Sequence, residues 1–157
     1  MPCRGMQGRV PGCSKAVTAY DSICWMTGTR DHENCMCLSG EPYGKCCARF
    51  HRGEAHAATA EQLMRSRYAA FVLLDAAYLL RTWHPRTAPA ELDPDPGMKW
   101  RRLDILSTTR GGPLDSEGTV EFKAYFRHAG ERGVLHETSR FVRENRRWLY
   151  VDGDVRA

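Results

Sequence analysis

At 157 residues the chain has the length of one domain with room for a small satellite, and it can bury a hydrophobic core without disulfide staples. Hydrophobic residues at 42% and charged residues at 27% are ordinary for a globular protein. Of the net charge of +4, +2 sits in residues 1–25 (Arg4, Arg9 and Lys15 against Asp21), so the body is nearly neutral and bulk charge does not favour nucleic acid as a partner. No run approaches the ~18 apolar residues of a membrane helix, and the opening stretch MPCRGMQGRVPGCSKAVTAY lacks the apolar core of a signal peptide. The expected compartment is therefore the cytoplasm, where clustered thiols stay reduced and serve metal or redox chemistry rather than disulfides.

Residues 1–34 are rich in glycine and polar residues without periodicity and read as a disordered tail or an upstream extension, with Met26 as an alternative first residue. Cys3, Cys13 and Cys24 there have no paired spacing and read as incidental thiols. Residues 35–52 form a cysteine knuckle, and GEAHAA (53–58) a short connector. A helix starts at Thr59, an N-cap with Gln62 three residues on in a capping-box pattern. Leu63, Met64, Tyr68, Phe71 and Val72 follow at helical spacing. Asp75 caps a second helix with Tyr78, Leu79 and Trp83 on its buried side, ended by Pro85. RTAPAELDPDPG is a loop.

Past the loop the period changes from 3.6 to 2. WRRLDIL reads as a strand with Leu103 and Ile105 on one face, and RGGPLDSEG as a break. TVEFKAYFRH alternates, placing Val120, Phe122, Ala124 and Phe126 opposite Glu121, Lys123, Tyr125 and Arg127. AGERG turns the chain, and VLHETSRFVR and RWLYVDG pair as a hairpin around ENR, with VDGD as a β-turn. Helices followed by consecutive antiparallel strands mean an α+β fold for residues 59–153.

The segment CMCLSGEPYGKCC carries the sharpest chemical signal. Zinc takes four tetrahedral ligands, with thiolate sulfur at about 2.3 Å. Cys35 and Cys37, two apart in a turn, and Cys46 and Cys47, adjacent at a helix start, can converge on one ion. Ser39, Gly40, Pro42 and Gly44 let the chain double back between them. Four thiolates leave no open coordination position, which marks a structural zinc site, and iron is the other metal such sulfurs accept. His51 is a fifth candidate that could replace one cysteine. The spacing is not the Cys-x-x-Cys of thioredoxin-type redox sites.

This segment resembles the SEC-C motif, the metal-binding module also found at the C-terminus of the SecA translocation motor, at Cys35, Cys37, Ser39, Gly40, Tyr43, Lys45, Cys46 and Cys47. Met36 stands where that motif has proline, and Leu38 where it has glycine. If the turn needs a positive φ, Leu38 is strained there. CCARFH, TAEQLMRSRYAAFV, YLLRTWHP and RWLYVDG are similar to successive landmarks of the YchJ family of uncharacterised bacterial proteins, from about residue 33 to 153. The resemblance implies a SEC-C module before a domain like nuclear transport factor 2 (NTF2): a curved antiparallel sheet wrapped on helices into a cone with an internal pocket.

For that pocket the candidate residues are Tyr68, Trp83, His84, Glu137 and Arg140, with Asp152 as a further acid. Arg65 and Arg67 lie about half a turn apart, so at most one faces the core, and they read as a solvated face with one buried ion pair. Trp83, Trp100 and Trp148 are core residues on composition alone. No nucleophile motif, phosphate-cradling glycine loop or histidine pair appears, so the sequence leans away from an enzyme. The resemblance implies a non-enzymatic adaptor whose zinc knuckle contacts a protein partner near protein export or ribosomes. A small-molecule binder or enzyme acting through the cone pocket is the alternative. Nucleic-acid binding through Arg140, Arg143, Arg146 and Arg147 is the weakest reading, because hairpin charge ordinarily serves solubility.

Overall fold

The two periodicities sort the chain into a helical layer and a sheet. The computed structural model describes residues 30–157, so Cys3, Cys13, Cys24 and Met26 lie outside the described residues. A 3₁₀ turn (Tyr43–Lys45) leads into α1 (Cys47–His51), α2 (Ala60–Leu73) and α3 (Ala76–Arg81). Strands β1 (Lys99–Arg110), β2 (Glu117–His128), β3 (Glu131–Glu144) and β4 (Arg147–Arg156) follow. The hydrogen bonds of the cysteine segment reach back into the stretch expected as tail. The Tyr43 N–H donates to the Glu33 carbonyl at 2.8 Å, and the Gly44 N–H to that of Asp31 at 3.1 Å.

The helix caps form where the sequence places them. The Thr59 hydroxyl accepts from the Gln62 N–H at 3.1 Å, although the Gln62 side chain returns to the Ala58 N–H (2.9 Å) rather than to that of Thr59. Asp75 accepts from the Tyr78 N–H at 3.0 Å. The α3 helix stops short of Pro85 for a tertiary reason. The segment Thr82–His84 leaves the helix to line the edge of β4, with Tyr150 N–H bound to the Thr82 carbonyl (2.9 Å) and His84 N–H to the Tyr150 carbonyl (2.7 Å). This contact supplies the edge strand with hydrogen-bond partners it would otherwise lack.

The sheet is an antiparallel meander in the order β1-β2-β3-β4. Two-residue turns close its last two hairpins. Ala129 and Gly130 (φ 49° and 82°), like Asn145 and Arg146 (φ 50° and 65°), carry the paired positive φ of type I′ turns. The strands run longer than expected. WRRLDIL is only the first half of β1, and VDGD is not a turn but the middle of β4, with Gly153 opposite Ser139. Bulges near Trp100 and Leu106 in β1, and opposite Arg140–Phe141 in β4, interrupt the ladder and increase the local twist of these strands. At Gly111 (φ 79°) a Cβ would stand 2.7 Å from that of Ala60, so the β1–β2 turn abuts the start of α2 closely enough to require glycine.

The main core lies between α2, α3 and one face of the sheet. Leu63, Met64 and Tyr68 meet Leu103, Val120, Phe122, Ala124, Phe141 and Trp148, with Phe71, Val72 and Ile105 half-buried at its margin. The alternation of β2 is therefore as expected. Trp148 is fully in this core and donates its Nε1–H to the Ala58 carbonyl at 3.1 Å. A second, smaller core of Cys35, Cys37, Tyr43, Cys47 and Ala48 packs on Ala69, on the opposite side of α2. Among the described residues no helix is long and apolar enough to cross a membrane.

Candidate metal centre and cavity

The turn after Cys35 puts the cysteines together. The Cys35 N–H donates to the Glu41 carbonyl (2.8 Å) and the Leu38 N–H to the Cys35 carbonyl (3.0 Å), while Leu38 and Gly40 adopt φ of 61° and 89°. The chain folds back so that Cys46, at the end of the 3₁₀ turn, and Cys47, opening α1, face the first pair. All four Sγ atoms lie within 4.8 Å of one another. Cys37 and Cys46 are 3.6 Å apart, and Cys46 and Cys47 3.8 Å. A tetrahedron of sulfurs about 2.3 Å from zinc has edges of about 3.8 Å, so the four cysteines have the spacing to bind a metal. Among the described cysteines none is in a disulfide.

The electrostatics of the cluster call for a cation. Hydrogen bonds from Cys35 and Cys47 hold the Cys37 thiol far below its ordinary pKa. Cys35 is pushed up to about 12, chiefly by its hydrogen bond with Cys37 and further by burial. Cys47 is driven far up by its bonds to Cys35 and Cys37 and by burial. Without a cation only some of these four sulfurs, all within 4.8 Å of one another, can ionise. A dication removes the penalty for ionising the rest. The Ser39 hydroxyl, 3.2 Å from Cys46 Sγ, is placed to support that sulfur.

Leu38 occupies a left-handed conformation that suits glycine, at a cost of about 1–2 kcal/mol. Its side chain is 52% exposed and recovers little by burial. Leu38→Gly is expected to tighten metal binding by about 1 kcal/mol, or about fivefold in a chelator competition.

His51 does not join the cysteines. Its Nε2–H donates to the Ser66 carbonyl (2.8 Å), which fixes the tautomer, and its Nδ1 accepts from the Tyr43 hydroxyl (2.8 Å). It fastens the knuckle to α2, as does Arg65, whose Nη1–H donates to the Cys37 carbonyl at 2.8 Å. Burial lowers the His51 pKa. The unfolded chain thus takes the proton more readily, so the contribution of His51 is fully present above its unfolded pKa of about 6.5 and is lost as pH falls below it. Stability measured by urea titration between pH of about 7.5 and 5.5 is expected to fall less steeply for His51→Gln than for the native chain.

A cavity of about 230 Å³ opens between α2 and the sheet. It brings together three of the five pocket candidates, Tyr68, Trp83 and Glu137, with Arg67, Trp100 and Tyr150. Trp83 and Trp100 both line this cavity, and Trp100 also packs against the main core. The other two candidates lie elsewhere. His84 is buried beyond the edge of β4, with its Nε2 3.1 Å from Glu144. Arg140 points from the opposite face of β3 to Asp152 (2.5 Å) and Asp154 (2.7 Å), which also removes Asp152 as a pocket acid and Arg140 from any free arginine patch. Arg67 is the residue that sequence reasoning missed, although its spacing of four from both Leu63 and Phe71 puts it on the buried stripe. It is only 3% exposed. The ion pair of the two arginines falls to Arg65, with Glu61 at 3.1 Å, while Arg67 Nη1 donates to the Leu79 carbonyl and the Thr82 hydroxyl, both at 2.7 Å, and its guanidinium stacks on Tyr150 and Trp83. Burial lowers its pKa to about 10, leaving it cationic at neutral pH.

Comparison with known proteins agrees with this architecture. Residues 59–153 match the family described as YchJ, middle NTF2-like domain. A UPF0225 protein of Streptomyces coelicolor is 58% identical over 76% of this chain and 94% of its own length. A UPF0225 protein of Corynebacterium glutamicum is 51% identical over 78% and 98%. The solution structure of a SEC-C motif containing protein from Rhodopseudomonas palustris superposes with a TM-score of 0.70 at 35% identity, covering 79% of this chain and 99% of that one. A crystal structure of a SEC-C motif containing protein from Psychrobacter arcticus gives 0.67 at 28%, covering 82% and 86%. The cysteine cluster, the α+β body and these relatives together show that the chain belongs to the YchJ family of UPF0225 proteins.

Proposed function

We propose that this protein is a zinc-binding, non-enzymatic adaptor of the cytoplasm. A knuckle of residues 35–52 holds the ion through Cys35, Cys37, Cys46 and Cys47 and presents a surface to a protein partner, while residues 59–153 form the supporting body. The carrying observation is the convergence of four sulfurs within 4.8 Å, three of them buried. That donor set fills a tetrahedral shell and leaves no position for substrate, which favours a structural ion, with zinc first and iron the other metal four sulfurs accept. The adaptor role is supported by the likeness of the segment to the SEC-C module, which in the SecA motor contacts an export chaperone.

The test is affinity capture with the full chain in metal-loaded form, compared with Cys46→Ser, alongside elemental analysis of protein from its native host. Export chaperones or ribosomes should be recovered only with the loaded chain. Equal recovery by both forms removes the knuckle from the interaction. Iron in place of zinc would change the cofactor but leave the clip.

A further inference from the structure

We propose that the cavity between α2 and the sheet binds a small ring-bearing carboxylate, its carboxylate seated on Arg67 and a hydroxyl on the ring directed to Glu137. At about 230 Å³ the space exceeds the ~150 Å³ of an engineered cavity that takes up benzene. Phe71, Trp100, Phe122 and Leu135 give it walls suited to a ring.

Its two charged groups set the polarity of the occupant. Among the described residues Arg67 has no carboxylate within ion-pair distance, and its hydrogen bonds all run through Nη1. The Tyr150 and Trp83 rings, 4.6 and 5.2 Å from Cζ, hold the guanidinium plane in place. Nε and Nη2 remain as a planar fork of the kind that takes a carboxylate through two parallel hydrogen bonds. Arg67 and Glu137 together are neutral, so a monoanion seated on Arg67 adds one negative charge to this apolar space, whereas a phosphate dianion would add two.

Glu137 supplies the acceptor. Its Oε1 accepts from the Ser139 hydroxyl (2.7 Å) and the Tyr150 hydroxyl (3.2 Å), while Oε2 has no protein donor among the described residues. The carboxylate lies over Gly153, where a Cβ would stand 1.9 Å from Oε1, so the lack of a side chain in β4 makes its place.

The proposal predicts saturable one-to-one binding of 4-hydroxybenzoate to the full, metal-loaded chain by calorimetry or ligand-observed NMR. Benzoate should bind more weakly, and the neutral 4-hydroxybenzamide at least about tenfold more weakly. Arg67→Gln should abolish the preference for the acid over the amide. Because that change also removes a bond to α3, Leu135→Trp is the second variant: it leaves Arg67 in place, fills the space and should eliminate binding. Arg140→Gln, on the outer face, should bind as the native chain does. Equal affinity for acid and amide, binding that survives Leu135→Trp, or no saturable binding of benzoate, 4-hydroxybenzoate or phenylacetate would overturn the assignment.

Discussion

Cys47→Ser is expected to reduce bound metal from about one ion per chain to almost none and to unfold the knuckle while the sheet stays folded. Cys47 opens α1 and has its sulfur in the centre of the cluster, 1% exposed. A module this small has little apolar area of its own, and zinc-finger peptides derive about 10–16 kcal/mol of apparent folding free energy from their ion. Loss of the ion should release the bonds of His51 to Ser66 and of Arg65 to the Cys37 carbonyl. Amides of residues 31–52 should then exchange rapidly, while those of β2 and β3 remain protected. The remaining melt should move to lower temperature, because Phe50 of α1 and Ala57 of the connector belong to the main core. Chelation of the native chain should reproduce the same pattern. Loss of protection throughout the sheet would show that knuckle and body form one cooperative unit.

Phe141→Ala should do the reverse, costing about 3–5 kcal/mol, a large share of the roughly 5–15 kcal/mol that holds a domain together. Phe141 is 1% exposed and meets Tyr150 edge to face at 5.8 Å between ring centroids. It is remote from the cysteines, which pack on the other side of α2. Denaturant midpoints followed by tryptophan fluorescence should fall sharply, with metal content unchanged in the folded protein. Release of metal from folded Phe141→Ala would contradict the division between the two cores.

Part of this molecule is legible in local order, and strand and helix periodicity carry more of it. The sequence reading places both Glu137 and Arg140 in the pocket, yet an odd separation of three along a regular strand sends side chains to opposite faces. The extra residue of the bulge lies in β4, so β3 keeps its alternation and Arg140 turns outward to Asp152 and Asp154. Arg67 could likewise have been placed on the inner stripe by its distance of four from Leu63 and Phe71. What obscured it was the rarity of buried arginine without a carboxylate, here offset by aromatic faces and by the carbonyl and hydroxyl at the end of α3.

Three features needed no tertiary information, because each depends on neighbours within a few residues: the caps at Thr59 and Asp75, the alternation of β2, and the pairing of Cys35 and Cys37 with Cys46 and Cys47 across a glycine-containing turn. The family resemblance rested on the same short stretches. Others were decided only when distant segments met. The α3 helix ends early because Thr82–His84 pairs with β4, and VDGD is a strand because β3 supplies its partners. His51 leaves the metal cluster for the Ser66 carbonyl, and the cavity takes its walls from α2, β1, β2, β3 and β4 at once. Local sequence sets what a residue can bond to, but long-range register and the packing of α2 between two cores choose which of those partners it meets.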